Sequence, residues 1–286
     1  MKEEVKVRWS WKRTAFLFLV LFALAVIGLL IAWVVVSEEN FDRTIKPGDT
    51  YKVGDRTYTL PNVPILNSQF KEVGKVKILS DTFLQRQRNL LIATDSLMRR
   101  LRIPYFISGG TLIGYSMPGL ETMMPHDDDL DIHVDFKHRD YLWSKEFAQE
   151  CDKEGLESVY LRMATKKLAT REGAAVRVRF KGDRMPVLDI FFETKDPKDG
   201  QWKKIDAWNG DTLTYNTREQ WPEDAVFPIR RKQVDGMHLN FPNKPEELLS
   251  RQYSKKVHER IVVPDRMLSH AFPYLVLGDV VWRKGG

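Results

Sequence analysis

The chain has 286 residues, 45 Lys and Arg against 39 Asp and Glu, a formal net charge of +6 and 43% hydrophobic residues, which allows one sizeable core with appendages and excludes a disordered chain. The basic residues are scattered and no nucleic-acid-binding module stands out, so no nucleic-acid partner is expected. Cys151 is the one cysteine, which excludes an internal disulfide and a cysteine-built zinc site.

Residues 14–36 are uncharged and almost entirely apolar; at about 1.5 Å per residue they reach across a hydrocarbon core of about 30 Å. Lys2, Lys6, Arg8, Lys12 and Arg13 precede them, and Glu38, Glu39 and Asp42 follow. The positive-inside bias therefore makes residues 1–13 a cytosolic tail and sends the rest across the membrane. The stretch is too long for a cleaved signal peptide and has no small-residue cleavage site at its end. The expectation is a single-pass type II membrane protein with a transmembrane signal-anchor at 14–36 and its main domain on the far side of the membrane, lumenal in the Golgi or endoplasmic reticulum if the source is eukaryotic.

Residues 37–74 carry Pro47, Pro61 and Pro64 and read as a stem partly packed on the domain at 75–286. Within the stem, residues 51–58 predict a hairpin turning at Gly54-Asp55. Leu84, Leu90, Leu91, Leu97, Met98 and Leu101 fall close to helical spacing, with Ser80 or Asp81 as the cap. The arginines at 86, 88, 99 and 100 read as a solvated face. Pro104 separates this helix from a strand at 105–107. Gly109-Gly110 then opens a short helix and offers backbone N–H groups where a phosphate can lie.

The acidic run His126-Asp127-Asp128-Asp129-Leu130-Asp131-Ile132-His133 carries the chemistry. Period-two alternation puts Asp129, Asp131 and His133 on one face, with Leu130 and Ile132 in the core. Like charges so placed repel unless a cation sits between them, which points to a metal. Asp127 joins that face if the strand starts early, whereas Asp128 points the other way as a cap. His133 reads either as a contact to a ligand or as a histidine hydrogen-bonded at the strand end. A helix follows at 137–151 with Tyr141, Leu142, Phe147 and Cys151 inward, then strands at 159–161, 174–180 and 187–192. Asp189 stands alone in the last of these, where a carboxylate is costly to bury unless paired or metal-bound. With the two strands side by side, Asp129, Asp131 and Asp189 converge on one or two divalent ions. Oxygen-only ligands favour Mg²⁺ or Mn²⁺. Arg177 and Arg179 share a face, either as forks for phosphates or as partners of surface carboxylates. Trp202, Trp208, Tyr215 and Trp221 read as satellite core rather than a stacking platform. Asn243-Lys244-Pro245-Glu246-Glu247 starts a late helix.

Gly-Gly-Thr-Leu-Ile-Gly at 109–114, Pro-His-Asp-Asp-Asp-Leu-Asp-Ile at 125–132, Ala-Val-Arg-Val-Arg at 175–179, Leu-Asp-Ile-Phe at 188–191 and Phe241-Pro242, followed by Glu-Leu-Leu-Ser-Arg-Gln-Tyr at 247–253, recur in one order and spacing. Together they resemble the LicD/fukutin family of phosphotransferases over roughly residues 85–255. The resemblance implies an α+β fold, a nucleotidyltransferase-like mixed sheet flanked by helices. It also implies metal-dependent transfer of a phosphoalcohol (phosphocholine, ribitol phosphate or similar) from a CDP-alcohol donor to a glycan acceptor on protein or lipid. In that scheme Asp129, Asp131 and Asp189 are both metal ligands and catalytic residues, Asp189 orienting or deprotonating the acceptor hydroxyl. Gly109, Gly110, Thr111, Arg177, Arg179 and His133 face the donor. The chain departs from the family pattern at His126, where many members have Trp, in the loop at 116–120, and at Ser254, where a Gly often stands. Two other readings stay open: a nucleotide-sugar glycosyltransferase built on Asp-x-Asp, and a non-catalytic membrane-anchored accessory protein for glycosylation.

Overall fold

The computed structural model describes residues 16, 18–28, 41–161, 172, 173, 175–208 and 212–263. Residues 16 and 18–28 are helical and exposed, and among the described residues no helix is long and apolar enough to cross a membrane. The rest of the expected anchor, at 14, 15, 17 and 29–36, lies outside the described residues.

The segment expected as a stem enters the core from Phe41 onward. Strand β1 (Phe41–Ile45) leads to the hairpin of β2 (Thr50–Val53) and β3 (Arg56–Thr59), turning where the sequence predicts, with Gly54 at φ +63°. A glycine suits that left-handed position because it has no Cβ to clash. After β4 (Ile65–Leu66), β5 (Val76–Leu79) returns antiparallel to β1. Tyr51, Val53, Leu60 and Ile65 belong to the same buried cluster as the rest of the chain.

Helix α1 (Asp81–Arg100) begins where the Ser80 hydroxyl accepts the Phe83 N–H at 3.3 Å, and Arg99 and Arg100 close it at the end that favours cations. Its Leu84, Leu90, Leu91, Leu97 and Met98 are fully buried, each contributing about 1.5–3 kcal/mol of hydrophobic stabilisation. Arg99 and Arg100 are exposed, as expected of a solvated face, whereas Arg88 departs from it: it is mostly covered and bonds Asp235 through both its Nε and a terminal nitrogen.

Next come β6 (Tyr105–Ile107), α2 (Gly109–Ser116) and β7 (Asp129–Asp135). The helix expected over 137–151 is broken into α3 (Arg139–Leu142) and α4 (Lys145–Lys153). Ser144 causes the break: its hydroxyl accepts the Phe147 N–H at 3.2 Å and starts a new helix. Strands β8 (Leu156–Leu161), β9 (Glu172–Gly173), β10 (Ala175–Phe180), β11 (Val187–Lys195), β12 (Trp202–Trp208) and β13 (Leu213–Trp221) join β6 and β7 in an eight-stranded sheet. The sheet is mixed: β7 runs parallel to β11, whereas β10 and β12 run antiparallel to it. Leu130, Ile132 and Val134 of β7 and Leu188, Ile190 and Phe192 of β11 are buried on one face, which leaves the alternate residues to the other. Trp202 and Trp221 are buried, as satellite core requires.

The described residues end with α5 (Glu223–Val226), the hairpin of β14 (Arg230–Val234) and β15 (Met237–Phe241), α6 (Pro245–Gln252) with Pro245 at its start, and β16 (Ile261–Val262), which pairs parallel to β4. At the tip of the β14–β15 hairpin, Asp235 gathers distant parts of the chain. Its carboxylate accepts from Arg56 at 3.0 Å, from Arg88 and Thr122 at 3.2 Å, and from the Tyr58 hydroxyl.

Candidate active site

The parallel register of β7 and β11 sets Asp131 directly opposite Asp189 and Asp129 opposite Val187. Strand β7 begins only at Asp129, so period-two alternation does not govern Asp127 and Asp128. Asp128 therefore turns toward its neighbours rather than away from them, unlike the sequence expectation. Asp127, Asp128 and Asp129 each present an oxygen, and the three oxygens lie within 4.8 Å of one another. Among the described residues this is the one group of three or more side chains that could hold a metal ion.

Gln87 of α1 fixes the backbone of this run by donating its side-chain N–H to the Asp127 carbonyl at 2.8 Å. Helix α2 supplies the facing wall. A Cβ at Gly109 would overlap the carboxylate of Asp131, and one at Gly110 would overlap that of Asp127. These glycines thus leave room for two acidic side chains at the helix start, where the positive end of the dipole favours them. Thr111 is buried, and its hydroxyl accepts the Asp131 N–H at 2.8 Å. It serves to hold Asp131 in place.

Asp189 is engaged differently from the expected metal triad. Both its oxygens accept from Arg177, from Nε and from a terminal nitrogen, each at 2.6 Å, and both residues are buried. Such a fork meets the cost of burying a carboxylate in the middle of a sheet. Burial works against the Arg177 charge, but the bonds to Asp189, with Asp129 and Asp128 farther off, raise its pKa above the ordinary value. The structure brings Asp129 together with Asp127 and Asp128, sets Asp131 beside them, and gives Asp189 to Arg177. Arg179, on the same face as Arg177, donates to Glu157 at 2.6 Å. Of the two roles open for these arginines, carboxylate pairing is the one formed here.

His133 does not reach a ligand surface. It is 1% exposed, walled by Phe106, Phe191 and Trp221, with Nδ1 3.4 Å from Glu193. Burial, with the Lys204 charge, lowers its pKa well below the usual histidine range, and burial likewise raises Glu193. The two side chains lie buried within 3.4 Å of each other, the hydrogen-bonded arrangement that was the plainer of the two readings the sequence allows.

Sequence reasoning assigned no role to Tyr253. It follows α6 and is 50% exposed as a residue, yet burial of its hydroxyl, then Asp131, Asp127, Glu219 and Asp129, push its pKa well above the usual range. The hydroxyl therefore stays protonated in the field of these carboxylates. Glu219, also unassigned, accepts from Gln252 at 2.7 Å and pairs with Lys204 at 2.9 Å. The signal available was the late Glu-Leu-Leu-Ser-Arg-Gln-Tyr motif, which carries no chemical pattern until the helix is folded against β13.

Three carboxylates with only oxygen donors, set against a glycine-built cradle, form a donor set that suits a hard divalent cation. The family described as LicD/FKTN/FKRP, nucleotidyltransferase domain, matches residues 102–244, half of the chain. No curated protein matches the chain.

Proposed function

The chain belongs to the LicD/FKTN/FKRP nucleotidyltransferase-domain family, and from that premise we propose that it is a divalent-metal-dependent phosphotransferase moving a phosphoalcohol from a CDP-alcohol to a glycan hydroxyl. The observation that carries this reading is the cluster of Asp127, Asp128 and Asp129, with Asp127 and Asp131 set against the glycine-built start of α2. A phosphate-transfer site needs anionic ligands for a cation next to a wall that admits a diphosphate closely.

Asp127, Asp128 and Asp129 would hold Mg²⁺ or Mn²⁺, which when bound neutralises charge on the donor diphosphate. Asp131, fixed through the Thr111 hydroxyl and set opposite Asp189, takes the proton of the acceptor hydroxyl as that oxygen attacks the phosphorus bearing the alcohol. The bond from that phosphorus to CMP breaks, and CMP leaves with the electron pair. Tyr253 donates a hydrogen bond to a phosphate oxygen. The Arg177–Asp189 fork keeps the strand next to Asp131 rigid, a positioning role in place of the acceptor-activating role expected for Asp189. We place this reaction on the lumenal side of a secretory membrane, the charge bias around 14–36 being its support.

The test is a melting series on the full chain in detergent with CDP-choline, CDP-glycerol, CDP-ribitol and UDP-sugars, each with Mn²⁺ and with chelator. A ligand at one hundred times its Kd stabilises the native state by about 2.7 kcal/mol, and a Mn²⁺-dependent shift with a CDP-alcohol is the expected outcome. A shift with UDP-sugars alone would replace this reading with a glycosyltransferase.

A further inference from the structure

Beyond the carboxylates, the same face of the sheet carries a cation of the protein's own. The Lys204 ammonium lies 3.8 Å from the centre of the Phe191 ring and 2.9 Å from Glu219 Oε2. Glu219 is held in turn by Gln252, whose amide donates to its other oxygen at 2.7 Å. The lysine side chain is 17% exposed and the glutamate 7%, so the arrangement is enclosed. Phe191 lies two residues beyond Asp189 on β11 and therefore on the same face. Tyr253, next to Gln252, feels both Glu219 and the Asp127–Asp131 carboxylates. The ring under the lysine therefore lies on the strand face that carries Asp189 and Asp131.

An aromatic face backed by a carboxylate is the usual seat of a quaternary ammonium group. Here an ammonium already fills it, and a second cation would meet like-charge repulsion. An ammonium also has three N–H donors, and Glu219 takes one, so the others suit hydroxyl oxygens. Resting on the CDP-alcohol reading above, we propose that Lys204 is a specificity-determining residue that selects a donor whose phosphoalcohol is an uncharged polyol and rejects one carrying a quaternary ammonium.

The experiment is calorimetric titration of the full chain in detergent micelles with Mn²⁺, using CMP, CDP-glycerol and CDP-choline as probes. The wild type is expected to bind CDP-glycerol at least about tenfold more tightly than CDP-choline. Lys204→Met should bring that ratio to within about twofold, whereas Lys204→Arg, which keeps the charge, should retain it. Equal or tighter binding of CDP-choline by the wild type overturns the proposal, with no need of a variant. An unchanged ratio in a folded Lys204→Met overturns it as well. If CMP binds while the two donors do not differ, the specificity claim alone falls; if CMP and both donors fail to bind, the cytidine-donor reading falls and takes this proposal with it.

Discussion

Arg177 and Asp189 face each other across β10 and β11 as direct register partners and join through two parallel hydrogen bonds of 2.6 Å. Removing one member of such a pair strands a charge in the sheet. Arg177→Met is expected to cost about 3–5 kcal/mol, measured by urea denaturation. The double variant Arg177→Met, Asp189→Leu should recover much of that loss, since a well-packed apolar pair commonly matches a buried ion pair.

Asp131→Asn keeps the size of the side chain and its place against Gly109, so the domain should melt within about 1 kcal/mol of the wild type. Turnover of a CDP-alcohol should fall by about 10²–10⁴-fold, the usual contribution of a positioned base. Undiminished turnover would remove Asp131 from the chemistry.

The glycines of α2 separate two kinds of damage. An alanine at Gly110 would meet the Asp127 carboxylate first, a side chain that can swing away. Gly110→Ala should therefore weaken Mn²⁺ binding, read by titration, with little change in Tm. At Gly114 the added Cβ would press on the backbone of Thr122, Met123 and Met124, and Gly114→Ala should lower stability by about 1–3 kcal/mol.

His126 supplies a pH dependence. Burial lowers its pKa to about 4, against the opposing effects of a hydrogen bond with the Val262 backbone and the charge of Asp128. The unfolded chain then takes up a proton below about pH 6.5 while the folded chain does not, so stability falls with falling pH between about 6.5 and 4. Between pH 6.5 and 5 this amounts to about 2 kcal/mol. His126→Asn should flatten that part of the stability profile in denaturation curves taken at each pH.

Much of this was legible in the chain itself, for identifiable reasons. The apolar spacing of α1, the Gly54 turn and the alternation of β7 are local patterns, and each formed where its period demands. The break at Ser144 was missed because a continuous inward stripe from Tyr141 to Cys151 hides a cap in its middle. The fate of Asp189 was hidden for another reason: its partner Arg177 lies on a different strand, and only register decides which side chains meet. Tyr253 and Glu219 show the same limit, since their closeness to the acidic run comes from α6 packing on β13 and not from any sequence period.

Asp235 yields a stability prediction of its own. Its carboxylate is 2% exposed and serves Arg56, Arg88, Tyr58 and Thr122, so Asp235→Ala leaves a largely covered Arg88 unpaired there and should cost about 3–5 kcal/mol in chemical denaturation.

The same contacts bear on how the molecule is made. Tyr58 is separated from Asp235 by 177 residues along the chain, and Ile65 pairs with Ile261. Strand β1 and the β2–β3 hairpin thus have near partners in β5 and in each other, while other contacts of the same segment reach to the β14–β15 hairpin and β16. Closing loops of that span is slow, so the contacts of Arg56 and Tyr58 with Asp235 form later than the local pairing of β2 with β3. The early hairpin is therefore locked by the late one, through Asp235, and that docking joins parts of the chain that no local contact brings together.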